Sequence, residues 1–246
     1  MRSVKTRLTV AASAVLIALC IEERLAQAGQ APGRRQDIDA LRIAAAAEVV
    51  PAVTSSDKSI PRAVLDKAEA MAVFPEMPRV PERSGQGPNT KRTARTQAVD
   101  ARGILSVRGS GATWSPPAFI NVTGETVPES GDLVWVIVSK RALESLMRPE
   151  LAIDANTAIA PGPTSADAQA WTDAQRRAEI FTYARTGGAL GGVALTGGRM
   201  QSDPIANQRF YGTQQALTTS ATVALADGPA SMAPWRDALQ KHLPKR

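Results

Sequence analysis

The chain of 246 residues holds one cysteine, one histidine and only 4% aromatic residues. A single Cys forms no intrachain disulfide and no cysteine-ligated iron–sulfur site, and one Cys with one His cannot complete a His/Cys zinc site. A Ser-His-Asp or Cys-His mechanism would have to rest on His242, and such a base works only when a partner holds it rigidly. No apolar run reaches the ~18 residues that a membrane-crossing helix needs. Trp114, Trp135, Trp171 and Trp235 are widely scattered, which suits core anchors better than a stacking platform for single-stranded nucleic acid. These shortages lean toward binding and away from catalysis: no catalytic residue, no metal and no cofactor is expected.

What is present is ordinary for a soluble globular domain, with 43% apolar and 21% charged residues. The balance of 29 Lys+Arg against 23 Asp+Glu gives +6. Part of that charge belongs to the first 28 residues. Arg2, Lys5 and Arg7 precede the apolar stretch Leu8 to Ile21, and Ala26-Gln27-Ala28 forms an A-x-A cleavage site before Gly29. This is the pattern of a secretory signal peptide over residues 1–28, and it implies an exported protein, periplasmic or extracellular. Cys20 offers a competing reading as a lipid-anchoring site, although Leu19 stands where a small residue is expected. Cleavage after Ala28 leaves 25 basic and 21 acidic residues, a charge of +4, so the headline basicity is no argument for a nucleic-acid partner.

Residues 29–36 read as a polar, flexible lead. From Asp37 the residues Ile38, Leu41, Ile43, Ala46, Val49 and Val50 recur at helical spacing, with Pro51 as the stop. Ser59-Ile60-Pro61 opens a second helix whose apolar face is Val64, Leu65, Ala68 and Met71. Met71 to Phe74 is a short extended run ended by Pro75. Residues 76–102 carry four prolines with the flanking Pro75 counted, many polar residues and an excess of basic ones, and read as a basic loop. From Gly103 the pattern is β: Ile104 to Val107, Ala118 to Val122, and Asp132 to Val138, the last nearly all apolar and therefore central. A short helix at Ser139–Met147, strand pieces at 153–155 and 157–160, a strand at Glu179–Arg185, three Gly-Gly pairs between Gly187 and Gly198, and a helix from Pro234 to His242 complete the chain.

The order Ile60-Pro61, Ala72-Val73-Phe74-Pro75, Trp114-Ser115-Pro116-Pro117-Ala118-Phe119, Val122-Thr123-Gly124, Asp132-Leu133-Val134, Ala160 and Gly162-Pro163 resembles the SYLF domain, also called the Ysc84 or DUF500 family. The likeness continues through Ala178-Glu179-Ile180, Tyr183-Ala184-Arg185, Gly188, Leu195-Thr196-Gly197 and Ala206-Asn207-Gln208-Arg209-Phe210-Tyr211-Gly212, and covers residues 37–243. The resemblance implies an α+β fold with N-terminal helices packed on a curved, largely antiparallel sheet of short strands. It also implies non-catalytic binding of phospholipid or phosphoinositide, with an anionic phospholipid or membrane surface as partner. In two places the chain departs from the family pattern. A polar, proline-broken stretch follows Phe74-Pro75 where the family has a glycine-rich strand pair, and only Pro128-Glu129-Ser130-Gly131 separates Val127 from Asp132. A scaffold module that has lost lipid binding is the alternative reading.

Candidate sites follow from charge. Arg79, Arg83, Lys91, Arg92 and Arg95 could contact anionic phosphates, each basic side chain near an anionic membrane adding about 1 kcal/mol. A solvated loop is the plainer reading of the same residues. The first helix, with Arg34, Arg35 and Arg42 beside an apolar face, has the outline of an interfacial helix. Its flank also holds Asp37, Asp39 and Glu48, which favours a core-packing helix. The Gly-Gly series fits no phosphate-cradling motif and suggests tight sheet curvature. Asn121-Val122-Thr123 has the N-glycosylation pattern, of consequence only on a eukaryotic secretory route. Among Asp154, Asp167, Asp173 and Glu179, spacing gives no reason to expect a paired acid and base.

Overall fold

The computed structural model describes residues 32–55, 58–75, 97–110, 113–126, 131–146, 150–152, 158–166, 171–212 and 229–244. The signal segment with Cys20, the strand piece at 153–155 and the short segment 127–130 lie outside them. The chain divides into two compact units, Met1–Ile38 and Asp39–Arg246. Of the first, only 32–38 are described, as the start of a helix.

Helix α1 spans Pro32–Thr54. It begins within the stretch read as a polar lead because proline is suited to a first helical turn, where its missing N–H has no partner to lose. It also runs past Pro51, the expected stop. Pro51 falls in the last turn, where its lack of an N–H removes one bond, and the turn is held from both sides. Thr54 Oγ1 donates to the Val50 carbonyl at 2.8 Å, and the Ser55 N–H to the Pro51 carbonyl at 3.0 Å. Val49, Val50 and Val53 are buried there, each contributing about 1.5–3 kcal/mol, which offsets the lost bond.

Helix α2, Arg62–Lys67, follows Pro61 and is shorter than its apolar spacing suggests. Ala68 caps it, and Met71 belongs instead to strand β1, Ala70–Phe74, which is buried throughout. Strand β2 spans Gln97–Val107, so residues 97–102 are sheet and not the end of a basic loop. Nine registered pairs with β3, Ala118–Thr126, draw this polar stretch into the sheet. Within it Ala101 is buried and Arg102 exposed. Strand β4, Asp132–Ile137, lies between β1 and β7, Ile180–Thr186, and is buried on both faces, as its unbroken apolar run predicts.

Helix α3 is Lys140–Leu146, and the remaining strands are β5 (Glu150–Ala152), β6 (Ile159–Pro161), β8 (Ala189–Gly192) and β9 (Leu195–Ser202). The nine strands follow the order β5-β9-β3-β2-β1-β4-β7-β6, with β8 also on β7. Every pair is antiparallel except β6–β7. Residues 193–194 alone join β8 to β9, although these strands belong to opposite ends of that order. The sheet must therefore curl strongly. Two glycine pairs serve the curvature. Gly187 and Gly188 take φ of 57° and 87° in the two-residue turn between β7 and β8, a conformation that side chains oppose. Gly197 is the extra residue where the β3–β9 register shifts at Gly124/Glu125. The fold is α+β, helices on a curved and largely antiparallel sheet.

Side-chain alternation gives the sheet two buried faces. Met71, Val73, Ile104, Phe119, Val134, Val136, Phe181 and Tyr183 pack with α1, α2 and the C-terminal helix α6, Ala233–His242. Ala72, Phe74, Leu105, Ile120, Val122, Leu133, Trp135 and Met200 form the other face, with Ala142 and Leu146 of α3. The helix α4, Asp173–Arg177, is closed by a Thr172–Gln175 capping box, and α5 spans Pro204–Tyr211.

Candidate functional site

Among the described residues, the buried polar side chains Asp39, Asp203 and Asn207 come together where α1, β3 and α5 meet. Strand β9 ends at Ser202, opposite Ile120, and leaves the next β3 residue, Phe119, without a strand neighbour on that side. The following residues supply one. The Asp203 N–H donates to the Phe119 carbonyl at 2.9 Å, and the Asn207 side chain accepts from the Phe119 N–H at 2.8 Å while donating to its carbonyl at 3.0 Å. Asn207 thus extends the ladder with an amide that mimics a peptide. Asp203 caps α5 by accepting the Ala206 N–H at 3.0 Å, with Pro204 in the first turn. Gly212 ends the helix at φ 73°, and the Tyr211 hydroxyl donates to the Pro117 carbonyl.

Arg209, on the same helix, makes a bidentate pair with Asp39 of α1, its Nε and Nη2 donating at 2.6 and 2.8 Å. The Asp39 side chain is fully buried, and Arg209 keeps 26% exposure. Arg42, one turn beyond Asp39, is 10% exposed and lies 3.7 Å from Asp39 and 3.8 Å from Asp203. Its guanidinium sits 5.3 Å above the Phe119 ring. Burial pulls Arg42 below its ordinary basicity, against the pull of Asp39 and Asp203. The hydrogen bond to Asp39 raises Arg209. Two carboxylates and two guanidinium groups therefore bind the first long helix to the helix that closes the sheet.

The sequence placed Asp39 and Arg42 on the polar flank of an amphipathic helix. Asp39 is instead buried and paired, while Ile43, Ala46, Val50 and Val53 of the same helix are fully buried. From Asp39 onward α1 packs as a core helix. The signal for the missed hub was present as Asp203-Pro204, a cap followed by proline, and as the Asn207-to-Gly212 run. What spacing alone does not reveal is the partner, Asp39, 170 residues away.

The predicted lipid contacts Arg79, Arg83, Lys91, Arg92 and Arg95 lie outside the described residues, as do Asp154 and Asp167. Arg102, counted with that basic stretch, stands on β2 opposite Asn121 of β3. Asp173 opens α4, whereas Glu179 receives two hydrogen bonds from Arg141 and one from Ser139. The Arg141 bond holds the Glu179 carboxyl below its usual range. His242 Nδ1 lies 3.2 Å from Ser55 Oγ, tying together the last turns of α6 and α1. Asn121 sits mid-strand, paired with β2 and β9, so the glycosylation pattern falls on sheet backbone. The tryptophans are spread through the core. Trp135 packs on Phe74, Trp171 on Phe181, Trp114 beneath Arg108, and Trp235 donates to Ser106 Oγ at 2.8 Å. Among the described residues, no group of three His, Cys, Asp or Glu gathers as a metal site, and no helix is long and apolar enough to cross a membrane.

Fold and hub together define a class: an α+β domain whose curled sheet is tied to its leading helix through an Asn-x-Arg-x-Tyr-Gly segment. Residues 128–242 match the Ysc84 (SYLF) family model, described as "Las17-binding protein actin regulator", and over that stretch the chain is similar to the family. It is 26% identical over 162 residues to the SH3 domain-containing YSC84-like protein 1 of Xenopus laevis, covering 63% of this chain and 44% of that one. The Homo sapiens protein of the same name is 27% identical over 161 residues, 63% of this chain and 43% of its own length. LAS seventeen-binding protein 3 of Saccharomyces cerevisiae (strain S288c) is 26% identical over 168 residues, 65% of this chain and 34% of the relative. The chain thus spans less than half the length of these relatives.

Proposed function

We propose that this chain is an exported, non-catalytic phospholipid-binding protein, with phosphoinositide-type headgroups included in its ligand class and the cell envelope as its setting. The Ysc84 relationship over residues 128–242 is the observation that carries the reading. The net positive charge supports it, since basic side chains gain free energy near anionic lipid. The basic stretch from Arg79 to Arg95 is its proposed membrane contact, and cleavage after Ala28 its route of export. Vesicle flotation of the mature protein, with mass spectrometry of the lipids that co-purify from the native host, tests the reading. Retention on anionic vesicles and a bound phospholipid are the expected results.

The second reading is a protein-interaction scaffold, favoured by the family description as a Las17-binding actin regulator. Flotation separates the two. A folded protein that carries no lipid and stays off anionic vesicles at physiological salt leaves the scaffold.

A further inference from the structure

We infer that Arg42, Arg102 and the Asn121 amide frame a binding site for one phosphate group at the junction of α1, β2 and β3. Arg102 and Asn121 stand on the same sheet face as Phe119, over which Arg42 of α1 lies. Arg102 is the register partner of Asn121, and Asn121 follows Phe119 by two residues on β3, so all three share the side that α1 covers. The Arg42 guanidinium lies over the Phe119 ring and completes the group.

Two features of this corner ask for a ligand. The Arg42 side chain is nine-tenths buried, yet its Nη1 has no hydrogen-bond acceptor, Asp203 being 3.8 Å away. The Asn121 Oδ1 is also buried without a partner. A buried N–H that makes no hydrogen bond is costly, and a charged donor left unused is a ready anion contact. The Asn121 amide, turned over about its last torsion, presents its NH2 where the unpartnered oxygen now stands. Charge agrees. Arg42, Arg102 and Arg209 face Asp39 and Asp203, and Arg102 is near enough to Arg42 to lower its basicity. Among the described side chains, these three arginines outnumber the two carboxylates by one. Arg102 is exposed, so the corner opens to solvent. A guanidinium fork matches the oxygens of a phosphate group in geometry as well as charge.

A free phosphate and a phospholipid headgroup present the same chemistry. The lipid as source rests on the function proposed above. The test measures binding of inorganic phosphate and of glycerol 3-phosphate by calorimetry, and retention on phosphatidylcholine vesicles with and without phosphatidic acid. Wild type is compared with Arg102→Gln, which alters an exposed side chain, and with a charge reversal of Arg79, Arg83, Lys91, Arg92 and Arg95. The site predicts that Arg102→Gln weakens phosphate binding about tenfold or more with an unchanged melting temperature, because one charge-assisted contact is lost. It also predicts weaker vesicle retention.

Phosphate binding that Arg102→Gln leaves unchanged overturns the site. Phosphate bound through Arg102 without vesicle retention supports the site and overturns the lipid as its source. Retention that survives Arg102→Gln but vanishes on charge reversal of the basic stretch overturns the lipid as this site's source and leaves the lipid reading standing through that stretch. A wild-type protein that binds neither phosphate nor vesicles overturns both.

Discussion

Replacing Asp39 by Asn removes a charge from the fully buried end of the α1–α5 connection without changing its shape. Asp39 receives two hydrogen bonds from Arg209, at 2.6 and 2.8 Å, and lies 3.7 Å from Arg42. Breaking a buried ion pair by removing one partner typically costs about 3–5 kcal/mol, since the other charge stays buried and uncompensated. Two features place this case at the low end. Arg209 is 26% exposed and can turn partly to water, and Arg42 retains Asp203. The expected loss is about 3 kcal/mol, equivalent to roughly 6–12 °C in Tm for a domain of this size. Urea titration followed by circular dichroism measures it, with Arg209→Met and the double variant closing a mutant cycle. Coupling of about 1–3 kcal/mol is expected for residues in direct contact. It should change little with added salt, because a buried pair is poorly screened. A loss under about 0.5 kcal/mol, the range of ordinary surface substitutions, would refute the claim that this pair ties α1 to α5.

Asn207→Leu leaves the Phe119 N–H without its acceptor and is expected to cost about 1–3 kcal/mol, with faster hydrogen exchange at the Phe119 amide as the local readout. Tyr183 is buried with an unpartnered hydroxyl whose ionisation burial pushes well above the usual range; Tyr183→Phe is therefore expected to be neutral or stabilising by up to about 1 kcal/mol in thermal melts. Gly162→Ala is the opposite case. Its methyl would stand 2.0 Å from Tyr183 Cζ, so overpacking costs about 1–3 kcal/mol, relieved when Tyr183 is made smaller in the same protein. For Glu179, whose carboxyl is held low chiefly by the Arg141 hydrogen bond, stabilisation is present above the unfolded-state pKa of about 4.3. It is lost as pH falls through the lower folded value. Glu179→Gln should flatten that part of the stability–pH profile and leave the neutral region little changed in shape.

Much of the framework could be read from residue patterns because it rests on local signals. The apolar run of β4 announces a strand buried on both faces, whereas the helix start at Asp203-Pro204 went unread. The paired glycines at 187–188 mark a tight turn. The misreadings share one cause, tertiary contacts overriding local chemistry. Residues 97–102 look like loop because Asp100 and Arg102 are charged, but nine pairs with β3 hold the strand. Pro51 looks like a stop, but Val53 is buried beyond it. Asp39 looks like a solvated flank because its partner Arg209 is remote in sequence. The corner of Arg42 and Arg102 was legible only as scattered arginines, since register with Asn121 and stacking on Phe119 exist only in the folded sheet.

Flotation of the mature, folded wild-type protein with phosphatidylcholine vesicles, with and without phosphatidic acid, decides whether the chain binds anionic lipid. Co-flotation with the anionic vesicles, weakening as salt rises, and none with phosphatidylcholine alone is expected. Protein left at the bottom of the gradient with both vesicle types, even at low salt, would contradict it.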